Sequence, residues 1–171
     1  MILFFIGFIF VFLDFPITVG TGSVDVLPNV VGYALTAVAA HRLLPYGRRF
    51  ARVRLISILL GVVSVAEIFL ALFIPTGTSI LPAIVSIVST LAFLLMTYEI
   101  AAVTKEIEAR ANRPVGADKL MTAWGFIAIG SLFAYVPLLM PSMTMTSLML
   151  QLLSYIWFLY SLYLVKSKTG L

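Results

Sequence analysis

The 171-residue sequence has no cysteine, one histidine and few charges. Without cysteine there is no disulfide, no thiolate zinc site, no iron–sulfur cluster and no cysteine nucleophile. A lone histidine, His41, cannot build a multi-histidine metal centre. Charged residues make up 11% of the chain, where about a quarter is usual in soluble domains, and apolar residues reach 62%. A soluble globule of this length has to cover its surface with polar groups, and here there are too few. The composition therefore excludes a soluble enzyme, a disordered tail, a coiled coil and a nucleic-acid-binding domain. No G-x-S-x-G elbow, P-loop or H-E-x-x-H motif occurs. Gly20-Thr21-Gly22-Ser23 lacks the lysine and the helix of a phosphate cradle. Nothing supports an enzyme, a metal or a cofactor.

Long apolar runs remain. A helix needs about 20 apolar residues to cross about 30 Å of hydrocarbon. Leu120 to Val165 carries no Asp, Glu, Lys or Arg and suits two helices, with Pro141-Ser142-Met143-Thr144 as the turn between them. Ile68 to Tyr98 is also free of charge and breaks at Pro75-Thr76-Gly77-Thr78-Ser79. The first 44 residues supply a third pair, joined by a loop from Thr18 to about Asp25, with Pro28 in the first turn of the second helix. The expectation is an all-α, polytopic transmembrane bundle of six helices in three hairpins. Its spans are residues 1–17, 26–44, 55–74, 79–103, 119–140 and 145–165 of a single membrane domain. No basic residue precedes the first apolar stretch and no small-x-small site follows it, so it reads as a retained span rather than a signal peptide.

All eleven basic residues fall in three places on this map. Arg42, Arg48, Arg49, Arg52 and Arg54 lie between helices two and three. Lys105, Arg110, Arg113 and Lys119 lie between helices four and five, and Lys166 and Lys168 follow helix six. The positive-inside rule then puts both termini in the cytoplasm of a cell-membrane protein. The Arg48, Arg49, Arg52 and Arg54 run suits anionic lipid head groups, although retention at the inner face explains it without further function. Helix four is expected to run on to about Asn112, with Glu106 and Arg110 as an i,i+4 pair. Arg113-Pro114 ends it, Gly116 supplies a turn, and Asp118 can cap helix five.

Small residues four apart on helix two (Gly32, Thr36, Ala40), helix three (Ser57, Gly61) and helix five (Gly130, Ala134) let backbones approach closely. They serve packing within the chain, or an interface with a partner bundle or a second copy. The three hairpins also align weakly with one another. Val26 to Tyr33 lies over Ile80 to Ile87 and over Leu148 to Tyr155, which pairs Asn29 with Gln151 and Tyr33 with Tyr155.

An ionisable group in the bilayer core costs at least about 2.5 kcal/mol on insertion scales. Glu67 lies eight residues before Pro75, about 12 Å below the outer end at 1.5 Å per residue, and no basic residue shares that depth. It is protonated, bonded to neutral groups, or in contact with water or a cation. Asp14, Asp25, Asn29, Tyr33 and Glu67 are the candidates to line one outward-facing pocket suited to a cation, an amine or a polyol. Asp14 also suits a bracing role against the start of helix two. Near the inner end of helix four, Glu99 is expected to pair with Arg42.

The stretch Gly7 to Leu44 carries Leu13-Asp14-Phe15, Gly22 and Asp25-Val26-Leu27-Pro28-Asn29-Val30-Val31-Gly32-Tyr33. It resembles the opening of uncharacterised small multi-pass membrane proteins of Gram-positive bacteria, which commonly have an acid where this chain has Asn29. The resemblance covers about a quarter of the chain and brings no known activity. Size and span number are also similar to the substrate-capturing subunits of energy-coupling-factor vitamin transporters, without the Ala-x-x-x-Ala docking signature of their first helix. The expected function is small-solute or cation binding, as a transport subunit with an outward polar pocket. The alternatives are a structural or regulatory protein that binds a partner helix bundle and, third, a lipid-modifying membrane enzyme. The bilayer is the expected partner, together with anionic lipids, a membrane protein or a second copy; nucleic acid is not.

Overall fold

The computed structural model describes residues 1–12, 17–19, 22–24, 27–73, 81–136 and 140–169. Six α-helices account for most of them: α1 (Ile2–Phe12), α2 (Leu27–Leu43), α3 (Arg49–Phe73), α4 (Leu81–Ala111), α5 (Ala117–Phe133) and α6 (Thr144–Thr169). The connection between α1 and α2 is not the plain loop expected. It holds a short antiparallel hairpin, β1 (Ile17–Val19) against β2 (Gly22–Val24), with Ile17 opposite Val24. β-branched residues at Ile17, Thr18, Val19 and Val24 favour that extended backbone. Asp14, Asp25 and the Pro75-Thr76-Gly77-Thr78-Ser79 turn lie outside the described residues.

Each helix packs on the next in sequence, and α1 also packs on α6, so the six close into a ring. α1 and α2 cross at Gly7 and Gly32. A Cβ on Gly32 would come within 2.7 Å of the Gly7 carbonyl oxygen, and one on Gly7 within 2.9 Å of the Gly32 carbonyl oxygen. Only glycine allows that approach. The small-residue face of α2 is thus spent inside the chain, with Gly32, Thr36 and Ala40 all buried. Gly130 of α5 meets Ser154 of α6 in the same way, at 3.0 Å from a would-be Cβ to the serine oxygen.

Inside an otherwise apolar core lie several hydroxyls, while many large apolar side chains face outward. Thr36, Ser57, Thr97 and Thr104 have no exposed surface, whereas Leu132, Leu153 and Val62 are each more than 60% exposed. The buried hydroxyls bond back to their own helices: Thr36 donates to Gly32 O at 2.8 Å, Ser57 to Val53 O at 2.8 Å and Thr104 to Ile100 O at 2.8 Å. They are satisfied and leave small, smooth contact faces. Among the described residues, two helices are long and apolar enough to cross a membrane, Ala83–Ala111 and Pro141–Thr169.

Two helix ends differ from expectation. α5 stops at Phe133 rather than near residue 140; the sequence has a proline at position 137, whose missing N–H cannot extend a helical ladder. Asp118 does not cap α5. The cap residue is Gly116, with φ 97°, and its side-chain partner comes from α4: Glu108 Oε2 accepts the backbone N–H groups of Val115, Gly116 and Ala117 at 2.9–3.0 Å. Those N–H groups carry the positive end of the helix dipole, so a carboxylate suits them better than a neutral cap. Asp118 instead lies 3.4 Å from Lys105 Nζ. At the end of α4, Asn112 takes the left-handed conformation with φ 48°, a usual way to stop a helix. Glu108→Ala is expected to lower stability by about 2 kcal/mol, the scale of losing a charged cap with several N–H bonds. A chemical or thermal unfolding comparison checks it, with Asp118→Ala expected to change little.

Candidate functional site

The alternating helices bring the connections after α2 and after α4 to one end of the bundle. Arg110 Nη1 donates to the Tyr46 carbonyl oxygen at 3.4 Å there, and Gly47 packs on Val103. Arg49 and Arg52, three apart in the first turns of α3, both reach Glu99 on α4. Arg49 Nη1 is 3.0 Å and Arg52 Nη1 2.6 Å from its carboxylate oxygens. Arg49 Nε also donates to Glu106 Oε1, and Arg110 lies 4.0 Å from the other Glu106 oxygen. Hydrogen bonds to Glu106 and then to Glu99 hold the Arg49 guanidinium still further above its ordinary range.

The expected Glu99–Arg42 pair is therefore replaced. Glu99, 3% exposed, is held by Arg49 and Arg52, and among the described residues Arg42 makes no ion pair. Arg42 ends α2 on an exposed face, whereas antiparallel packing of α3 on α4 lines up Arg49 and Arg52 with Glu99. Of the four arginines read as lipid contacts, these two are engaged inside the protein. Arg48 and Arg54 remain exposed, with Arg54 Nη1 3.3 Å from His41 Nδ1.

The opposite end holds a cavity of about 350 Å³. Asn29 and Tyr33 come from the start of α2, and Ser64 and Glu67 from the last third of α3. Ser86, Ser89 and Thr90 come from the start of α4, Ser131 from the end of α5 and Tyr135 from just beyond it, and Gln151 and Tyr155 from the first half of α6. Three of the expected pocket residues, Asn29, Tyr33 and Glu67, are thus brought together; the other two, Asp14 and Asp25, lie outside the described residues. The sequence reading missed the serines, Thr90, Tyr135, Gln151 and Tyr155. For Gln151 and Tyr155 a signal existed, since the hairpin alignment pairs them with Asn29 and Tyr33.

Polar groups around the cavity bond to one another, the first two pairs between different segments of the chain and the third within α6. Ser89 Oγ donates to Glu67 Oε1 at 3.2 Å, Thr90 Oγ1 and the Tyr135 hydroxyl lie 2.9 Å apart, and Gln151 Nε2 donates to the Tyr155 hydroxyl at 2.7 Å. Beneath them lies an aromatic floor. Phe8 packs edge-on against Phe158 and Phe93, and Phe12 stacks on Tyr155 with ring centroids 4.0 Å apart. Phe8 and Phe158 are fully buried. This layer separates the cavity from the Arg49–Glu99 end. Among the described residues the wall carries one carboxylate and no cation. All eleven Lys and Arg residues and His41 are among the described residues, and none lines the cavity. Among the described residues no group of three acids or histidines could hold a metal ion.

A second, larger groove of about 880 Å³ runs between α5 and α6, lined mainly by apolar side chains such as Phe126, Leu153 and Trp157. No protein-family model matches the chain, and no curated protein or solved structure matches it.

Proposed function

We propose that this chain is a multi-pass protein of the cell membrane, with six spans and cytoplasmic termini, that binds a small polar or cationic solute on its outer side as a binding or transport subunit. The observation that carries this reading is Glu67, set in a cavity of hydroxyls and amides with no basic side chain of the chain beside it. A half-buried carboxylate that has one hydroxyl donor and no cation beside it is costly to keep, so such a site is kept for something that binds there.

The membrane reading rests on buried hydroxyls, exposed leucines and valines, and the gathering of basic groups at one end. Kinship with the small multi-pass proteins that the Asp25–Tyr33 stretch resembles belongs to the same proposal, as do anionic lipids held by Arg48 and Arg54. The partner-bundle reading has less behind it, since the Gly32 ladder is consumed between α1 and α2.

Thermal unfolding of the detergent-purified chain against a panel of monovalent cations, amines and polyols tests the proposal. A true ligand at a hundredfold excess over its Kd is expected to raise Tm by about 5 °C or more. Glu67→Gln, which keeps the shape and removes the charge, is expected to abolish that rise. If no solute acts through Glu67, the reading fails.

A further inference from the structure

Resting on the reading of the cavity as a solute site, we infer that its ligand is a singly charged organic ammonium, with the charged head at Glu67 and an apolar body against the Phe93 and Tyr155 rings of the wall. Charge sets the sign. Among the described residues the cavity wall offers one carboxylate, and every basic group of the chain lies elsewhere, so the charge that compensates an ionised Glu67 comes from the ligand. A neutral polyol leaves the carboxylate uncompensated, and an anion adds repulsion.

Valence and size narrow it further. A divalent ion takes six or more oxygen ligands with several carboxylates among them, and no such group exists among the described residues. A bare monovalent ion would leave most of about 350 Å³ unfilled, whereas that volume is in the range of sites for small organic molecules.

The two ends of the cavity differ in character. At the upper level Glu67 accepts from Ser89, and the carboxylate keeps acceptor capacity for N–H donors. Below it, Phe93 and Tyr155 line the wall and continue into the Phe8, Phe12 and Phe158 layer. Tyrosine and phenylalanine faces attract a cation within about 6 Å of the ring and also accept an alkyl or aryl body. An ammonium on a compact apolar body meets both ends at once, and neither an inorganic ion nor a sugar does.

The test uses three isosteric probes on the full chain in detergent: 2-phenylethylammonium, 2-phenylethanol and 3-phenylpropanoate. Isothermal titration reads the affinities, with Ser64→Leu protein in the same micelles as the blank, because a leucine there projects into the cavity and narrows it. The ammonium is expected to bind about tenfold or more tightly than the alcohol, the scale of one uncompensated charge contact, and the carboxylate not at all. Glu67→Gln is expected to bring the ammonium down to the level of the alcohol. Methylammonium, which has the charge without the body, is expected to bind at least about tenfold more weakly than 2-phenylethylammonium.

Equal binding of ammonium and alcohol, abolished by Ser64→Leu, overturns the charge assignment and leaves the solute site standing. Equal binding of methylammonium overturns the role of the Phe93 and Tyr155 rings. If none of the probes or panel solutes binds in a way that Ser64→Leu removes, both the inference and the site reading fall. Should Glu67→Gln not fold, the ammonium-to-alcohol ratio in the unmodified chain decides the charge assignment alone.

Discussion

Arg49→Met is expected to destabilise the chain by about 3 kcal/mol, the scale of breaking a buried ion pair on one side. Among the described residues Arg49 is the one arginine that joins two carboxylates, Glu99 on one side and Glu106 on the other. Glu99 is almost fully buried, so losing Arg49 leaves a carboxylate held only by Arg52, whose side chain is 63% exposed. An exposed partner is screened and gives back little. Arg52→Met is therefore expected to cost less, about 1 kcal/mol. The double variant with Glu99→Gln separates the terms. If the burden is an uncompensated charge, Arg49→Met with Glu99→Gln is more stable than Arg49→Met alone. Equal losses for Arg49→Met and Arg52→Met, measured by denaturant or thermal unfolding, would contradict this account.

Gly32→Leu is expected to cost about 3 kcal/mol or more, and to remove ligand binding as well. Overpacking a tight contact typically costs 1–3 kcal/mol, and more where neither side can yield. Here the obstacle is the Gly7 backbone carbonyl as well as Val11, so no rotamer change relieves it. α1 must move away from α2. It carries Val11, which lines the cavity, and Phe8 and Phe12 of the floor, so the site loosens with the crossing. Gly61→Ala serves as the control. A Cβ there meets Tyr33 at 3.7 Å, ordinary contact, and stability is expected to change by less than about 0.5 kcal/mol. Circular dichroism with thermal melts, and titration of whichever probe binds the unmodified chain, read both effects.

Much of the architecture is legible without coordinates because it depends on one-dimensional quantities. Charge-free length and the spacing of prolines give six helices, and the periodic return of arginine and lysine gives an end where they gather. Depth along a helix is also one-dimensional, which is why Glu67, Asn29 and Tyr33 could be put at one level before any packing was known. Helix ends are less legible. α5 ends at Phe133 although the apolar run continues; the missing N–H of a proline at position 137 is a backbone property that hydropathy does not register.

Partner identity was the least legible property. Which arginine meets Glu99 depends on the angular position of each side chain around its helix and on which helices touch. At the same level, Arg42 and Arg49 look alike in sequence. Glu108 offered no sequence sign that it would cap α5, since its three N–H partners lie seven to nine residues on and beyond a turn. The serines of the cavity were hidden for a related reason. A serine in an apolar helix serves equally for close packing, as Ser57 does against its own helix, or for lining a site, as Ser89 does against Glu67.

The amino-acid order alone determined that the chain is helical, that its cations sit together, and that an acid lies far from them. Each follows from composition and distance along the chain. Only the closed ring decided that this acid faces a cavity above an aromatic floor, and that Glu99 is neutralised by Arg49 and Arg52. Facing is set by rotation about helix axes, and that rotation is fixed by where glycines such as Gly7 and Gly32 let two backbones meet.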